Sequence, residues 1–252
     1  MIARRFLSLG IALGFSMSAW PSSCPAGQML TITTDVKGGW GQLVLLPIDL
    51  NGRVDDVYAG AFASTVAGGP TITTFCIDYY DETYPGSTWS VTAAPIADFA
   101  GNPAGPNPGG HGKALGALYT RLIGGVDDRI QAAALQVALW KVEYDGATSL
   151  TSGAFRPIDS ADDGSDQHRV YLQVVADLRG FDVDKASGPA TLLAATSHPG
   201  GLYQDLIGPA GAIGSADVVA TPEPGTLTMA IAGLAACGLV ALIRRHSRSD
   251  PA

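Results

Sequence analysis

The run RIQAAALQVALWKVEYDG, residues 129–146, decides how the rest of the chain is read. Alanine, leucine, glutamine and lysine are strong helix formers. They predict a helix over 127–143, with Asp127 or Asp128 placed to cap its first turn. What surrounds it is of another kind. Before it, β-branched and apolar runs read as strands at 28–36, 42–49, 57–66, 71–80 and 89–92. Turn residues separate them: Lys37-Gly38-Gly39, the hairpin pair Asn51-Gly52, and Gly68-Gly69-Pro70. The segment GNPAGPNPGGHG, 101–112, is a loop by composition. Leu115, Leu118 and Leu122 give 113–123 a helical period. After the loop-like 148–165, Asp166 is placed to cap a third helix with Val170, Val174 and Leu178 on one face. Strands return at 190–195 and 201–207. The expected fold is α+β: a β-sandwich or barrel-like sheet with an inserted helical subdomain, both ends of the domain supplying strands.

The termini read as address labels. MIARR is a basic start, FLSLGIALGFSMSAW an apolar run, and small residues follow. Residues 1–26 are therefore expected to be a secretory signal peptide. Cleavage after Ser18 keeps Cys24, and cleavage after Ala26 removes it. At the other end, a linker at 218–226 precedes a charge-free apolar run at 227–243 and a basic tail at 244–252. Seventeen residues make a helix of about 25 Å, the short limit for a membrane span. The arginines after it favour a cytoplasmic tail. Pro222-Glu223-Pro224, the apolar run, then Arg244 and Arg245, resemble in their order the PEP-CTERM sorting signal. That resemblance implies an exosortase-type processing enzyme as a partner, transient anchoring in the inner membrane through the C-terminal helix, removal of the tail, and a final place at the cell surface or in the extracellular matrix. Cys237 would leave with the tail.

The exported domain, 27–217, is long enough for one substantial core. Residues 27–220 carry 10 Lys and Arg against 21 Asp and Glu, a net charge of −11. That balance excludes nucleic acid as a partner, because phosphates need a basic face, and disfavours anionic lipid.

Processing leaves Cys76 without Cys237, in the run TTFCIDYYDE, 73–82. A lone thiol in an exported domain pairs, reacts or is buried. Gln136 raises a matching question. One turn away on either side lie Ala132, Ala133, Leu139 and Trp140, so its carboxamide sits in an apolar patch. Unpartnered, it would cost on the order of 1–3 kcal/mol. The sequences Phe75-Cys76-Ile77-Asp78 and Gln136-Val137-Ala138-Leu139-Trp140, in this order, resemble the thioester domains of bacterial surface adhesins. Leu135 departs from that family's pattern, which has threonine before the glutamine. The resemblance implies an internal thioester between Cys76 and Gln136, with Phe75, Trp140, Tyr79 and Tyr80 as walls that exclude water. It also implies a surface ligand bearing an amine or hydroxyl that takes the glutamyl carbonyl. Such a bond is made once, so no enzyme is expected, and neither cofactor nor metal. The alternatives are a buried inert thiol, a disulfide with Cys24, a Gln136 that only hydrogen-bonds a loop carbonyl, and a non-reactive structural or glycan-binding component of the biofilm matrix.

Other motifs are thinner. Cys76 with His111 has the residue types of a nucleophile and base but no signature around either. DSADDGSD, 159–166, fails calcium-ligand positions at Ala161 and Val170. Tyr58, Trp40, Trp89 and Tyr84 have the chemistry of a sugar platform, although strand aromatics usually belong to the core. For the tail, Glu223→Ala is expected to hold the protein in the inner membrane with its C-terminus uncut. Release of that variant in processed form, detected by fractionation and mass, would rule out exosortase sorting.

Overall fold

A computed structural model describes residues 28–36, 43–79, 83–99, 110–162, 164–195 and 204–211. Six strands close into an antiparallel barrel. They are β1 (Gln28–Val36), β4 (Phe62–Val66), β5 (Thr71–Cys76), β6 (Thr88–Pro95), β8 (Thr191–Ala195) and β9 (Leu206–Gly208), in the order β1-β4-β5-β9-β8-β6. Of the two expected sheet forms, this is the barrel. Strands from both ends of the domain meet in it, as the sequence predicts. Alternation along each strand fills the interior with Ile32, Thr34, Ser64, Ile72, Thr74, Val91 and Ala93. The Ser64 and Thr74 hydroxyls share a 2.6 Å hydrogen bond there, which removes the cost of burying both.

A second sheet has the order β3-β2-β7, from β2 (Val44–Leu50), β3 (Arg53–Ala59) and β7 (Phe155–Pro157). Asn51 (φ 57°) and Gly52 (φ 85°) make the tight β2–β3 turn, the geometry that Asn-Gly favours. The single strand expected over 57–66 is two strands in two different sheets. Gly60 breaks it with φ 154°, and a Cβ at that position would lie 2.7 Å from the Leu43 side chain. Hydrophobic periodicity does not register a single backbone reversal of this kind. β7 lies inside the expected loop over 148–165. Three residues are too few to show a period, and they are strand only because Leu50, Asp49 and Ile48 pair with them.

Three helices cover the sheets: α1 (Gly112–Leu122), α2 (Arg129–Asp145) and α3 (Asp166–Leu178). Asp128 caps α2, accepting from Gln131 N at 2.9 Å. Gly146 ends it in the left-handed conformation (φ 57°), returning its N–H to Val142 O. A Cβ on Gly146 would also meet His111 Nε2 at 2.4 Å. The cap of α3 is Ser165, which accepts from His168 N, and not Asp166, which is the first helical residue. α2 is buried on nearly all sides, which is how a helix at the centre of a core reads. Even Lys141 is fully buried. Its Nζ pairs with Asp145 and donates to Ser152 O at 2.6 Å and Phe155 O at 2.8 Å. Asp145 accepts in turn from Ala154 N at 2.7 Å and Phe155 N at 3.2 Å. This network fastens β7 to the end of α2.

Among the described residues, no helix is long and apolar enough to cross a membrane. Residues 1–26, expected to be a signal peptide and including Cys24, and Pro222, Glu223, Pro224, the 227–243 run, Arg244 and Arg245, lie outside the described residues. Asp145→Ala is expected to cost about 3–5 kcal/mol, because it strands a buried ammonium. The exposed Lys185–Asp182 pair supplies the control: Asp182→Ala is expected to leave the urea midpoint nearly unchanged.

Candidate functional site: the Cys76–Gln136 pair

β5 explains why Gln136 is where it is. Ile77 N donates to Asp205 O at 3.0 Å on the β9 side. Backbone groups alternate along a strand, so the N–H and C=O of Cys76 point to the other side, towards β4. There β4 has already ended: Phe62 pairs with Thr74, and the chain leaves at Gly60. The Gln136 carboxamide takes the missing strand's place. Cys76 N donates to Gln136 Oε1 at 3.0 Å, and Gln136 Nε2 donates to Cys76 O. Two buried backbone groups and one buried carboxamide are satisfied together. Sixty residues apart in the chain, Cys76 and Gln136 are hydrogen-bonded neighbours in the structure.

Cys76 is buried and free. Burial pushes its thiol well above the ordinary cysteine range, the charge of Asp78 adds to that, and the Thr83 hydroxyl works against it. The sulfur is therefore a thiol at neutral pH. A proton must leave it in the same event that makes it a nucleophile.

Cys76 and Gln136 both line an open cavity of about 1060 Å³. Tyr79 and Trp140 line it too, their rings edge to face at 5.6 Å. Tyr144 holds Tyr79 in place, its hydroxyl accepting from Tyr79 N at 3.0 Å. These two walls stand where the sequence puts them. Phe75 does not: it is a neighbour of Cys76 on a strand, so its side chain leaves from the opposite face. It packs edge-on against Tyr119 of α1, 6.2 Å between centroids. Tyr80 lies outside the described residues. The rest of the cavity includes Thr83, Gln204 and much of β3, which the sequence does not mark as site residues, together with Tyr58 and Tyr84, two of the four aromatics with the chemistry of a sugar platform. Tyr58 and Tyr84 are more than half exposed at its rim, whereas Trp89 is core; Trp40 lies outside the described residues.

The dyad of Cys76 with His111 is not formed. His111 Nδ1 is bonded to Glu143 O at 3.1 Å, seven residues and about 10 Å along α2 from Gln136. In 159–166, Asp159 Oδ1 bonds His168 Nδ1 at 2.7 Å and Ala161 N at 3.1 Å. Asp162 accepts from Gly164 N at 3.1 Å. These carboxylates serve their own loop.

No family model and no curated protein matches the sequence. Among solved structures, the chain is similar to the N-terminal thioester domain of the fibronectin-binding protein SfbI from Streptococcus pyogenes. The identity is 12%, the TM-score 0.39, and the alignment covers 73% of this chain and 93% of that one. The likeness is too slight to bear on the chemistry, which rests on the cavity itself.

Gln136→Ala is expected to destabilise the domain by about 1–3 kcal/mol, because it orphans the Cys76 backbone groups. Equal stability of Gln136→Ala and wild type, by urea unfolding, would show that the carboxamide does not replace the lost strand.

Proposed function

We propose that Cys76 and Gln136 condense to an internal thioester, and that the protein uses it to attach covalently to a ligand at the cell surface or in the extracellular matrix. The observation that carries this reading is the pairing of the Gln136 carboxamide with the Cys76 backbone in the wall of an open cavity. The carbonyl to be attacked is held against the residue that attacks it. The Cys76 N–H already donates to Gln136 Oε1, so it serves as the donor for the oxyanion that develops there. Sγ adds to Cδ, the thiol proton passes to Nε2, the C–N bond breaks and ammonia leaves. The thioester then waits for an amine or hydroxyl. The incoming atom bonds to Cδ, the C–S bond breaks, and the proton it gives up restores the Cys76 thiol. The exchange occurs once per molecule, so it is not turnover.

Delivery belongs to the same proposal: export by the signal peptide, a transient stay in the inner membrane, and exosortase-type processing at Pro222-Glu223-Pro224. A second reading also has an observation behind it. The Gln136 carboxamide both accepts from and donates to the Cys76 backbone, which accounts for its burial without any reaction. With exposed Tyr58 and Tyr84 at the rim, the cavity would then serve a non-reactive matrix component.

Intact mass separates the two. The thioester reading predicts a domain lighter than its sequence by one ammonia, addition of methylamine at Gln136, and release of one titratable thiol. Cys76→Ala abolishes all three. A full sequence mass with an inert Cys76 leaves the matrix reading standing.

A further inference from the structure

The cavity has an unusual wall. It is lined by Arg53, Asp55, Asp56, Val57 and Tyr58 of β3. Side chains at odd and even positions of a strand point to opposite faces. When consecutive residues all border one space, the strand presents its edge to that space. β3 is the outer strand of its sheet, with β2 on one side. No strand pairs with its other edge among the described residues.

The register tells which backbone groups lie on that edge. Leu50 and Arg53 close the two-residue turn and so exchange both hydrogen bonds. Every second pair does the same: Ile48 with Asp55, Leu46 with Val57, Val44 with Ala59. The pairs between them do not, and Pro47, which has no N–H, sits in one of these opposite Asp56. The N–H and C=O groups of Val54, Asp56 and Tyr58 therefore point outward, spaced by about 7 Å. That ladder is complementary to one kind of ligand, an extended polypeptide. The charge narrows it. Arg53 neutralises Asp55 at 2.9 Å, whereas Asp56 has no ion pair among the described residues, and the domain is acidic throughout.

We propose that the free edge of β3 takes an extended, lysine-bearing segment of a partner protein by strand addition, laying it across the cavity so that the lysine amine meets the acyl carbon of Gln136. The reactive end of this proposal rests on the thioester reading above; the edge does not. In the covalent step the lysine nitrogen bonds to Gln136 Cδ, the C–S bond breaks, and the proton lost by the amine is gained by Cys76 Sγ.

The test uses the mature protein and lysine peptides of increasing length, with alternating Thr and Val about one lysine, beside methylamine and a capped single lysine. On wild type the rate of adduct formation is expected to rise about tenfold from capped lysine to the longest peptide, the gain of a few main-chain hydrogen bonds. Asp56→Pro removes an outward N–H without taking a bond from β2 and is expected to abolish the gain. Asp56→Ala keeps that N–H and most of the gain. Each protein's own methylamine rate is the baseline against which its peptide rates are read. Methylamine reactivity without length dependence, or length dependence that survives Asp56→Pro, overturns strand addition and leaves the thioester intact. A wild type inert to methylamine overturns the thioester reading alone. The edge is then read in Cys76→Ala by amide hydrogen exchange, where the long peptide is expected to slow Val54, Asp56 and Tyr58. No slowing there, or slowing by dextran oligosaccharides instead of peptide, overturns the proposal.

Discussion

A side-chain amide standing in for a strand holds this fold together at its centre. Where β4 turns away at Gly60, the last residue of β5 is left with a buried N–H and C=O facing no neighbour. Gln136 on α2 supplies both partners. The consequences spread outward. The helix is fixed against the barrel at one depth and one rotation, because a carboxamide bonded in two places tolerates neither slip nor turn. Trp140, one turn on, is thereby set into the cavity beside Tyr79. The contact that satisfies the backbone pair is also the one from which the proposed thioester would form.

The other end of α2 is fixed by a different device. Burying Lys141 is costly unless its charge and its donors are all used. Asp145 supplies the charge, and the carbonyls of Ser152 and Phe155 take the remaining donors. β7 is held in this way, and through β7 and β2 so is β3. The wall of the cavity that carries the free strand edge is therefore anchored to the same helix that carries Gln136. Gln136 and the outer edge of β3 are thus held in one frame through α2, β7 and β2.

Much of this was legible from local pattern. The Asn-Gly turn, the alanine-rich helix and the return of strands at the end of the domain each follow from propensity or period. The apolar surroundings of Gln136 alone showed that its amide needed a partner. What was not legible depends on long-range pairing. Gly60 looks like any glycine in a β-rich run until the two strands it separates are seen in different sheets. Phe75 is expected among the water-excluding walls, yet a residue next to Cys76 on a strand carries its side chain on the opposite face. Lys141 and Asp145 have ordinary i, i+4 spacing; only the loop that closes over them makes the pair a core element. Tyr58 and Tyr84 read as core aromatics because exposure, unlike period, is set by what else packs nearby.

The bond proposed between Cys76 and Gln136 is directly observable. Carbon-13 NMR of protein labelled at the glutamine side-chain carbonyls observes it without mass or added amine. With the bond in place, one carbonyl resonance, lost in Gln136→Ala, lies downfield in the thioester range and has no attached amide protons. Treatment with an amine should return it to the amide range. A Gln136 carbonyl in the amide range from the start, coupled to its own NH₂, would show that the bond does not form.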